Sequence, residues 1–418
     1  MREHHDVVVI GAGQAGLSIS WYLKNDGVDH IVLERDSVAS DWRDRRWDNF
    51  TLVTPNWQCD LPGFPYDRGD PHGFMTRDEV YRFVQDYAQS FDPPVETGST
   101  VTSLVQNPDG GFDLTVRRGD STDLLHGDRV VVATGGYQKP VLPRMADRLS
   151  PDIVQVHSAD YRGTHQLPDG AVLVVGSGQS GAQIAEDLHL GGRTVHLVTG
   201  TAPRCARFYR GRDCVAWLSE MGTYDIPIEA QTGGIAKREN TNHYMTGRGG
   251  GRDIDLRAFA TEGMHLYGRL TEASGTTCAF APTLEHNLDH ADAVAEGIKD
   301  LIDAYITREG IDAPVEARYT PVWRPSAEPT TLDLAAAGIT SVIWCVGFAA
   351  DYSWLRAGVF DGEGHVCHQR GVTSVPGLYF LGLPWLHTWG SGRFASVGRD
   401  AEHLHTQIMA AHRKSRAA

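Results

Sequence analysis

The stretch Asp6-Val7-Val8-Val9-Ile10-Gly11-Ala12-Gly13-Gln14-Ala15-Gly16 decides the fold of this chain. An apolar run typical of a buried strand leads into the spacing G-x-G-x-x-G, and a helical stretch from Leu17 to Asn25 follows. A second apolar run, His30 to Leu33, ends on Glu34. Because the glycines lie between a strand and a helix, this order predicts a strand–helix–strand unit that binds a dinucleotide.

Each glycine of this motif has its own physical role. Gly11 permits the tight turn, Gly13 lets the backbone approach a pyrophosphate, and Gly16 lets helix and strand pack closely. The helix N-terminus offers free N–H groups to the phosphates. Glu34 can accept hydrogen bonds from a ribose diol, as in FAD. The first unit therefore predicts an FAD site.

A second copy of the motif lies 165 positions further along the chain, from Gly11 to Gly176. It reads Ala171 to Val175, then Gly176-Ser177-Gly178-Gln179-Ser180-Gly181, then a helical stretch and the strand Thr194–Val198. No acid ends that strand. Thr199 stands there instead, and Arg204 follows closely, so a 2′-phosphate would meet no repelling carboxylate. This unit predicts NADPH rather than NADH, unless the arginine merely belongs to a solvated loop.

Length and charge limit the class of protein. At 418 residues the chain suits two or three domains. The 38 basic and 53 acidic residues give a formal charge of -15, which argues against a nucleic-acid or anionic-membrane partner. Residues 1–5 are not a targeting segment, and no apolar run approaches the roughly 18 residues of a membrane span. We expect a cytoplasmic protein with a small-molecule substrate and no membrane contact. A homodimer is possible, since the sequence does not determine the oligomeric state.

The predicted fold class is α/β, with two Rossmann-like dinucleotide-binding domains. The FAD domain is discontinuous, and the NADPH domain is inserted into it. We predict the FAD domain over residues 1–150 and 331–418, and the NADPH domain with a family-specific insertion over 151–330. A helix of about twenty residues ends near Ala411, and its N-terminus, with N–H groups from Trp389 to Gly392, can face the flavin ring. The alternative is an amphipathic closing helix without cofactor contact.

The six cysteines never form C-x-x-C. Enzymes that pass electrons from NADPH through flavin to a dithiol need two thiols beside the flavin, commonly close in sequence. Cys205 and Cys214 are nine positions apart, and two buried or surface thiols without a redox role as a pair are the favoured interpretation.

Together with the paired motifs, further segments carry a family resemblance: Trp42-Arg43 to Trp47-Asp48, Thr54-Pro55, Leu61-Pro62-Gly63-Phe64-Pro65, Ala133-Thr134-Gly135, His157-Ser158 with Tyr161-Arg162, and Leu383 to Gly392. The chain resembles the class B flavoprotein monooxygenases, which include flavin-containing, Baeyer–Villiger, N-hydroxylating and YUCCA enzymes. The likeness is strongest to a bacterial, mostly uncharacterised branch of flavin-containing-monooxygenase-like proteins. It covers nearly the whole chain.

Two departures from the family pattern affect the expected chemistry. In the segment that corresponds to the family motif F-x-G-x-x-x-H, this chain has the final histidine, His157. It has Pro151 and Ile153 at the positions of the phenylalanine and the glycine. The Trp-Pro ending typical of Baeyer–Villiger enzymes is replaced by Tyr161-Arg162. Heteroatom oxidation, at nitrogen, is therefore favoured over ketone-to-ester chemistry. His157 either takes part in the reaction or braces the domain junction.

The resemblance implies that NADPH reduces the flavin, that the reduced flavin captures O2 as a C4a-(hydro)peroxide, and that a soft nucleophile takes the distal oxygen. Asn56 is the expected hydrogen-bond donor beside that oxygen, or else it has a turn role. A carbonyl substrate and a non-oxygenating flavin reductase are the alternatives. The residues expected to contact the cofactors are Gly11, Gly13, Gln14, Ala15, Gly16, Glu34, Arg35, Trp42, Thr134, Gly135, Gly176, Ser177, Gly178, Gln179, Ser180, Gly181, Thr199, Arg204, Gly382, Trp389 and Ser391.

Overall fold

The structure is a computed structural model that describes residues 3–417. Its first part, residues 3–132, builds a sheet around the first glycine loop. The elements are β1 (Glu3–Ile10), α1 (Gln14–Asn25), β2 (His30–Leu33), α2 (Ser40–Asp44), α3 (Arg77–Phe91), β3 (Val95–Glu96), β4 (Ser99–Gln106), β5 (Phe112–Arg118) and β6 (Ser121–Val132). Strand β1 pairs in parallel with β2 and β6, as a dinucleotide-binding unit requires.

The middle part of the chain builds a second sheet. Its elements are β7 (Lys139–Pro140), β8 (Val154–His157), β9 (Ala171–Val175), α4 (Gln179–Leu190), β10 (Val195–Val198), β11 (Phe208–Tyr209), β12 (Arg212–Asp213), α5 (Cys214–Glu220), α6 (Leu256–Thr261), β13 (His265–Tyr267), β14 (Leu270–Ser274), β15 (Thr277–Phe280), α7 (Leu284–Glu309), β16 (Thr331–Asp333) and β17 (Ile339–Trp344). Five of the strands form a parallel sheet in the order β13-β10-β9-β17-β8. All five residues of β9 are buried, because helices and loops cover both faces of such a sheet.

The last part of the chain returns to the first sheet. Its elements are β18 (Phe348–Ala349), β19 (Leu355–Arg356), β20 (His368–Gln369), β21 (Val372–Thr373), β22 (Leu378–Phe380) and α8 (Phe394–Ala417). Strand β22 pairs in parallel with β6, and β19 pairs with β4. The first sheet therefore draws strands from both ends of the chain, in the order β19-β4-β5-β6-β1-β2-β3 with β22 beside β6. The helices of the described residues include none long and apolar enough to cross a membrane.

The predicted boundary between residues 330 and 331 is wrong. Strand β17 lies between β9 and β8 in the second sheet, so the middle domain extends to Trp344. The sequence of an apolar strand that ends in glycine is compatible with either domain. Only the strands that pair with it show to which domain it belongs. The short strands β7 and β18 pair with each other, so the two connections between the domains run side by side.

Candidate functional site

The first glycine loop has the geometry that its sequence predicts. Gly11 adopts a φ of 106°, and a Cβ there would lie 2.7 Å from the carbonyl oxygen of Ala133. A Cβ on Gly16 would lie 1.8 Å from the carbonyl oxygen of Gly11, whereas a Cβ on Gly13 would meet nothing within 4 Å. Packing therefore requires the outer glycines, while the middle one faces open space that a pyrophosphate can enter.

Polar groups surround that open space. Among the described residues, no hydrogen bond uses the N–H groups of Gly13, Gln14 or Ala15, which are the first donors of α1. The carboxylate of Glu34 accepts from the N–H of Ala12 at 2.8 Å and from that of Asp36 at 2.9 Å. It is thereby held beside the loop at the end of β2, where a ribose would lie.

The C-terminal segment reaches the same loop. The amide of Gln14 accepts from Nε1 of Trp42 at 3.2 Å and donates to the carbonyl oxygen of Gly392 at 3.2 Å. A Cβ on Gly382 would lie 2.8 Å from that of Ala15, so glycine permits this close approach. These bonds hold the start of α8 next to the first loop.

Three other residues from the expected cofactor set lie near the loop. Arg35 follows Glu34 on the surface and pairs with Asp36 at 2.9 Å. Thr134 and Gly135 follow β6, and the amide of Gln138 donates to the hydroxyl of Thr134 at 2.8 Å. They lie where the first sheet passes into the connection between the domains.

The second glycine loop repeats this geometry. A Cβ on Gly181 would lie 1.8 Å from the carbonyl oxygen of Gly176, but a Cβ on Gly178 would meet only a methyl carbon of Thr241, at 3.6 Å. The amide of Gln179 forms two hydrogen bonds with the backbone of Met245, at 2.7 and 3.1 Å.

Two further loop residues lie as the motif predicts. The hydroxyl of Ser177 accepts from the N–H of Gly200 at 3.0 Å, which ties the loop to the end of β10. Ser180 is part-exposed in the first turn of α4. This loop also leaves room for a pyrophosphate.

The expected contacts of Thr199 and Arg204 with a 2′-phosphate need correction. Arg204 is 4% exposed, pairs with Asp292 at 2.7 Å and lies over the ring of Tyr319. Thr199 is 2% exposed and donates to the backbone of Tyr267. Neither side chain is open to a ligand, because α7 and the segment around residue 319 cover them.

A different arginine is exposed next to this strand end. Arg269 is exposed and lies two residues after β13, whose end is parallel to that of β10. The N–H of Thr199 donates to the carbonyl oxygen of Tyr267 at 2.8 Å, which fixes the two strand ends side by side. No local sequence pattern identifies Arg269, because it lies about 70 residues further along the chain than β10, the strand that it neighbours.

His157 lies at the junction between the domains, where both of its ring nitrogens form hydrogen bonds. Its Nδ1 accepts from the N–H of Ala159 at 3.1 Å, which leaves the proton on Nε2 to be donated to the carbonyl oxygen of Gly347 at 3.1 Å. The ring is 5% exposed, and burial lowers its pKa. Both nitrogens are thus occupied, and the neutral ring joins the ends of β8 and β17.

Asn56 begins a short 3-10 turn and is 5% exposed. Its amide nitrogen donates to the carbonyl oxygen of Asp70 at 2.9 Å, while Oδ1 has no partner among the described residues. Because an amide nitrogen carries two hydrogens, one donor remains. The neighbouring Trp57 also has a buried Nε1 without a partner in the described chain.

The loop before α8 holds Ser391 and Trp389. The hydroxyl of Ser391 accepts from the N–H groups of His387 and Thr388, at 3.0 and 3.1 Å, which shapes this loop and leaves the hydroxyl hydrogen as a donor. Trp389 stacks on Tyr224 with ring centroids 4.3 Å apart. In the described part of the chain, no hydrogen bond uses the N–H groups of Gly390 and Gly392, as expected for donors that face a ligand.

Two cations near these loops lack acidic partners. Within the described chain, Arg393 and Arg46 form no ion pair; Arg393 lies 4.0 Å over the ring of Trp389, and Arg46 lies 5.2 Å over that of Trp42. Burial lowers the pKa of both guanidinium groups. Both side chains are partly buried, and partial burial of a cation without a counter-ion is unfavourable. An anionic group such as the FAD pyrophosphate suits this environment.

The cysteines Cys205 and Cys214 are buried in an apolar cluster, 6% and 0% exposed. A hydrogen bond between the two thiols, together with burial, raises the pKa of Cys214. A thiol must ionise to attack a disulfide. This pair is therefore unsuited to dithiol chemistry.

Two glycine loops, each between a helix and a strand with parallel neighbours on both sides, define a dinucleotide-dependent oxidoreductase. The chain belongs to the pyridine nucleotide-disulphide oxidoreductase family, whose model matches residues 8–229. It is 33% identical to an uncharacterised CzcO-like oxidoreductase of Geobacillus kaustophilus over 98% of this chain and 99% of that one. It is also 32% identical to the indole-3-pyruvate monooxygenase YUCCA6 of Arabidopsis thaliana, over 43% of this chain and 44% of that one.

The fold is similar to that of a flavin-containing monooxygenase from Stenotrophomonas maltophilia. The two chains superpose with a TM-score of 0.67 at 19% identity, over 98% of this chain and 99% of the other. The expected resemblance to flavin-dependent monooxygenases and the α/β class with two dinucleotide-binding domains are confirmed.

Proposed function

We propose that the protein is an NADPH- and O2-dependent flavin monooxygenase that oxygenates a small molecule at nitrogen. FAD binds the loop at Gly13, and NADP binds the loop at Gly178. The observation that carries the proposal is the combination of two open glycine loops with the burial of Cys205 and Cys214, the pair that could form a dithiol. A bound flavin would therefore pass its electrons to O2 rather than to these thiols.

The residues of the first domain hold the flavin. The unused N–H groups of Gly13 and Gln14 bind the pyrophosphate, and Glu34 binds the ribose. The N–H groups of Gly390 and Gly392 would face the flavin ring and could stabilise negative charge on it. When bound, FAD supplies the transfer of electrons to O2 and of oxygen to the substrate.

The segment 222–243 excludes water from the cleft between the domains. At one end Tyr224 stacks on Trp389, and the N–H of Ile228 donates to the carbonyl oxygen of His387 at 2.8 Å. At the other end Thr241 lies against Gly178. A covered cleft would keep water away from a bound flavin, and the free amide hydrogen of Asn56 would be available as a donor on that side of the cleft.

Arg269 selects NADPH over NADH. A 2′-phosphate on a nucleotide bound at Gly178 would lie near the end of β10, next to the exposed Arg269. Guanidinium groups bind phosphate through charge-assisted hydrogen bonds. The buried Arg204 serves only to support this region.

A nitrogen substrate is favoured because the Trp-Pro ending of Baeyer–Villiger enzymes is replaced by Tyr161-Arg162. The structure gives this pair a packing role: the hydroxyl of Tyr161 donates to Asp187 at 2.9 Å. Oxygenation of a carbonyl compound is the second candidate, and the 32% identity to an indole-3-pyruvate monooxygenase favours it.

The test is oxygen uptake with product analysis. FAD-loaded protein is mixed with NADPH and a panel of amines and 2-oxo acids, and mass spectrometry detects a product that gains one oxygen atom from ¹⁸O2. An oxygenated amine as the product supports the proposal. An oxygenated or decarboxylated oxo acid instead supports the second candidate, oxygenation of a carbonyl compound. If NADPH oxidation requires a disulfide or quinone and proceeds equally without O2, the monooxygenase assignment fails.

A further inference from the structure

A cluster of metal-ligating side chains lies at the start of the first sheet, outside the cofactor site. The Nε2 atoms of His4 and His126 and a carboxylate oxygen of Asp128 all lie within 4.8 Å of one another. Nε2 of His4 is 2.9 Å from Oδ1 of Asp128, and Nε2 of His126 is 4.0 Å from the same oxygen. Two imidazoles and one carboxylate form a ligand set that suits Zn²⁺.

Strand pairing places these groups together. His4 on β1 is the register partner of His126 on β6. Asp128 lies two residues after His126, so all three side chains project from one face of the sheet. Ligands on paired strands are held by the backbone ladder. The two imidazole rings are stacked with centroids 5.6 Å apart, and rotation about their side-chain torsions would turn both Nε2 atoms toward one ion.

A fourth residue orients the site. Nδ1 of His126 donates to Oδ1 of Asp113 on β5 at 2.8 Å, and Asn107 donates to the other carboxylate oxygen at 2.9 Å. With the proton held on Nδ1, the lone pair of Nε2 faces the cluster. Metal-ligating histidines commonly have such a carboxylate partner, which fixes the ring and raises its basicity.

The available space fits an ion. Bond lengths of about 2.0 Å in a tetrahedral site place ligand atoms about 3.3 Å apart, which lies between the observed 2.9 and 4.0 Å. Gly111 keeps the region next to His126 open, since a Cβ there would lie 2.9 Å from Nε2. His4 and Asp128 are 51% and 42% exposed at their side chains, so solvent can supply the fourth ligand.

We propose that His4, His126 and Asp128 bind one divalent cation of the Zn²⁺ type, which joins the N-terminal strand β1 to β6. The site lies seven residues before Gly11 on β1, about 23 Å at roughly 3.3 Å per residue. The metal therefore stabilises the fold and takes no part in flavin chemistry. This inference is independent of the proposed function.

The test uses untagged, FAD-loaded full chain that has been treated with a chelator. Calorimetric titration with Zn²⁺ should give one site per chain and a higher melting temperature, whereas Mg²⁺ should give neither. His4→Ala and His126→Ala should each weaken Zn²⁺ binding by more than about tenfold, and Asp113→Asn by about tenfold. The matched control is His5→Ala, since His5 points to the opposite face and bonds to Asp29.

Saturable Zn²⁺ binding that survives both His4→Ala and His126→Ala would overturn the proposal, as would equal loss in His5→Ala. Absence of stoichiometric binding in the parent protein would also overturn it, and so would equal affinity for Mg²⁺. Because the variants are compared in the metal-free protein by circular dichroism, loss of binding is separated from loss of folding. NADPH oxidation should be the same with and without Zn²⁺.

Discussion

A substitution at Gly13 should reduce FAD binding without reducing the stability of the fold. Its φ of −83° and ψ of −174° suit alanine, and a Cβ there would meet nothing within 4 Å. Gly13→Ala should therefore fold and gain about 0.4–1 kcal/mol from the lower entropy of the unfolded chain. The methyl group occupies the space of the pyrophosphate. Losing two hydrogen bonds to a charged group costs about 3–6 kcal/mol, which weakens FAD binding on the order of a hundredfold to ten-thousandfold.

The matched control is Gly16→Ala, three residues along the same loop. A Cβ there would lie 1.8 Å from the carbonyl oxygen of Gly11, so helix and loop must separate. We expect a loss of at least about 3 kcal/mol of stability in that variant. The assay measures the FAD-to-protein ratio after reconstitution, and thermal melting by circular dichroism without FAD.

Gly13→Ala should melt at or above the parental temperature without FAD and retain almost no flavin. Gly16→Ala should melt far lower. Stoichiometric FAD in Gly13→Ala at parental affinity would refute the assignment of the loop to the pyrophosphate. A low melting temperature of Gly13→Ala would show that the space next to Gly13 cannot accept a methyl group.

The remaining predictions concern the second loop, the cleft and the domain junction. Gly178→Ala should weaken NADP binding by about a hundredfold while FAD is retained, as measured by titration; unchanged NADP affinity contradicts this. Asn56→Ala should raise the hydrogen peroxide released per NADPH oxidised, and an unchanged ratio argues against its role as a donor. Arg269→Ala should raise the half-saturating NADPH concentration about tenfold and leave that of NADH unchanged. Arg204→Ala should lower the free energy of unfolding by about 3–5 kcal/mol without changing the preference for NADPH. If Arg204→Ala instead changes the preference and Arg269→Ala does not, Arg204 is the residue that contacts the 2′-phosphate. Burial holds the pKa of His157 below its unfolded value of about 6.5, so its stabilising contribution is present above that pH and is lost as the pH falls through the folded pKa. The unfolding free energy of the parent should thus fall more steeply below pH ~6.5 than that of His157→Gln, and parallel curves would contradict the neutral, bracing role.

Much of the fold could be predicted from the sequence because its signals are local. Helix α3, Arg77–Phe91, begins with a capping box in which Thr76 and Glu79 satisfy each other's backbone N–H groups, a signal that lies within four residues of sequence. The two glycine motifs are equally local, since strand, turn and helix follow within about twenty residues. The sequence therefore determined the two dinucleotide-binding units and the unused N–H groups at their helix starts.

Long-range pairing was decided by the tertiary structure. The place of β17 in the second sheet depends on β8 and β9, so the domain boundary could not be placed from composition. The role of an arginine depends on its partners: Arg204 is neutralised by Asp292, 88 positions away, whereas Arg269 remains exposed beside a distant strand. Charge pairing and burial are set by residues remote in sequence, and so only the folded chain distinguishes a buried ion pair from a phosphate contact.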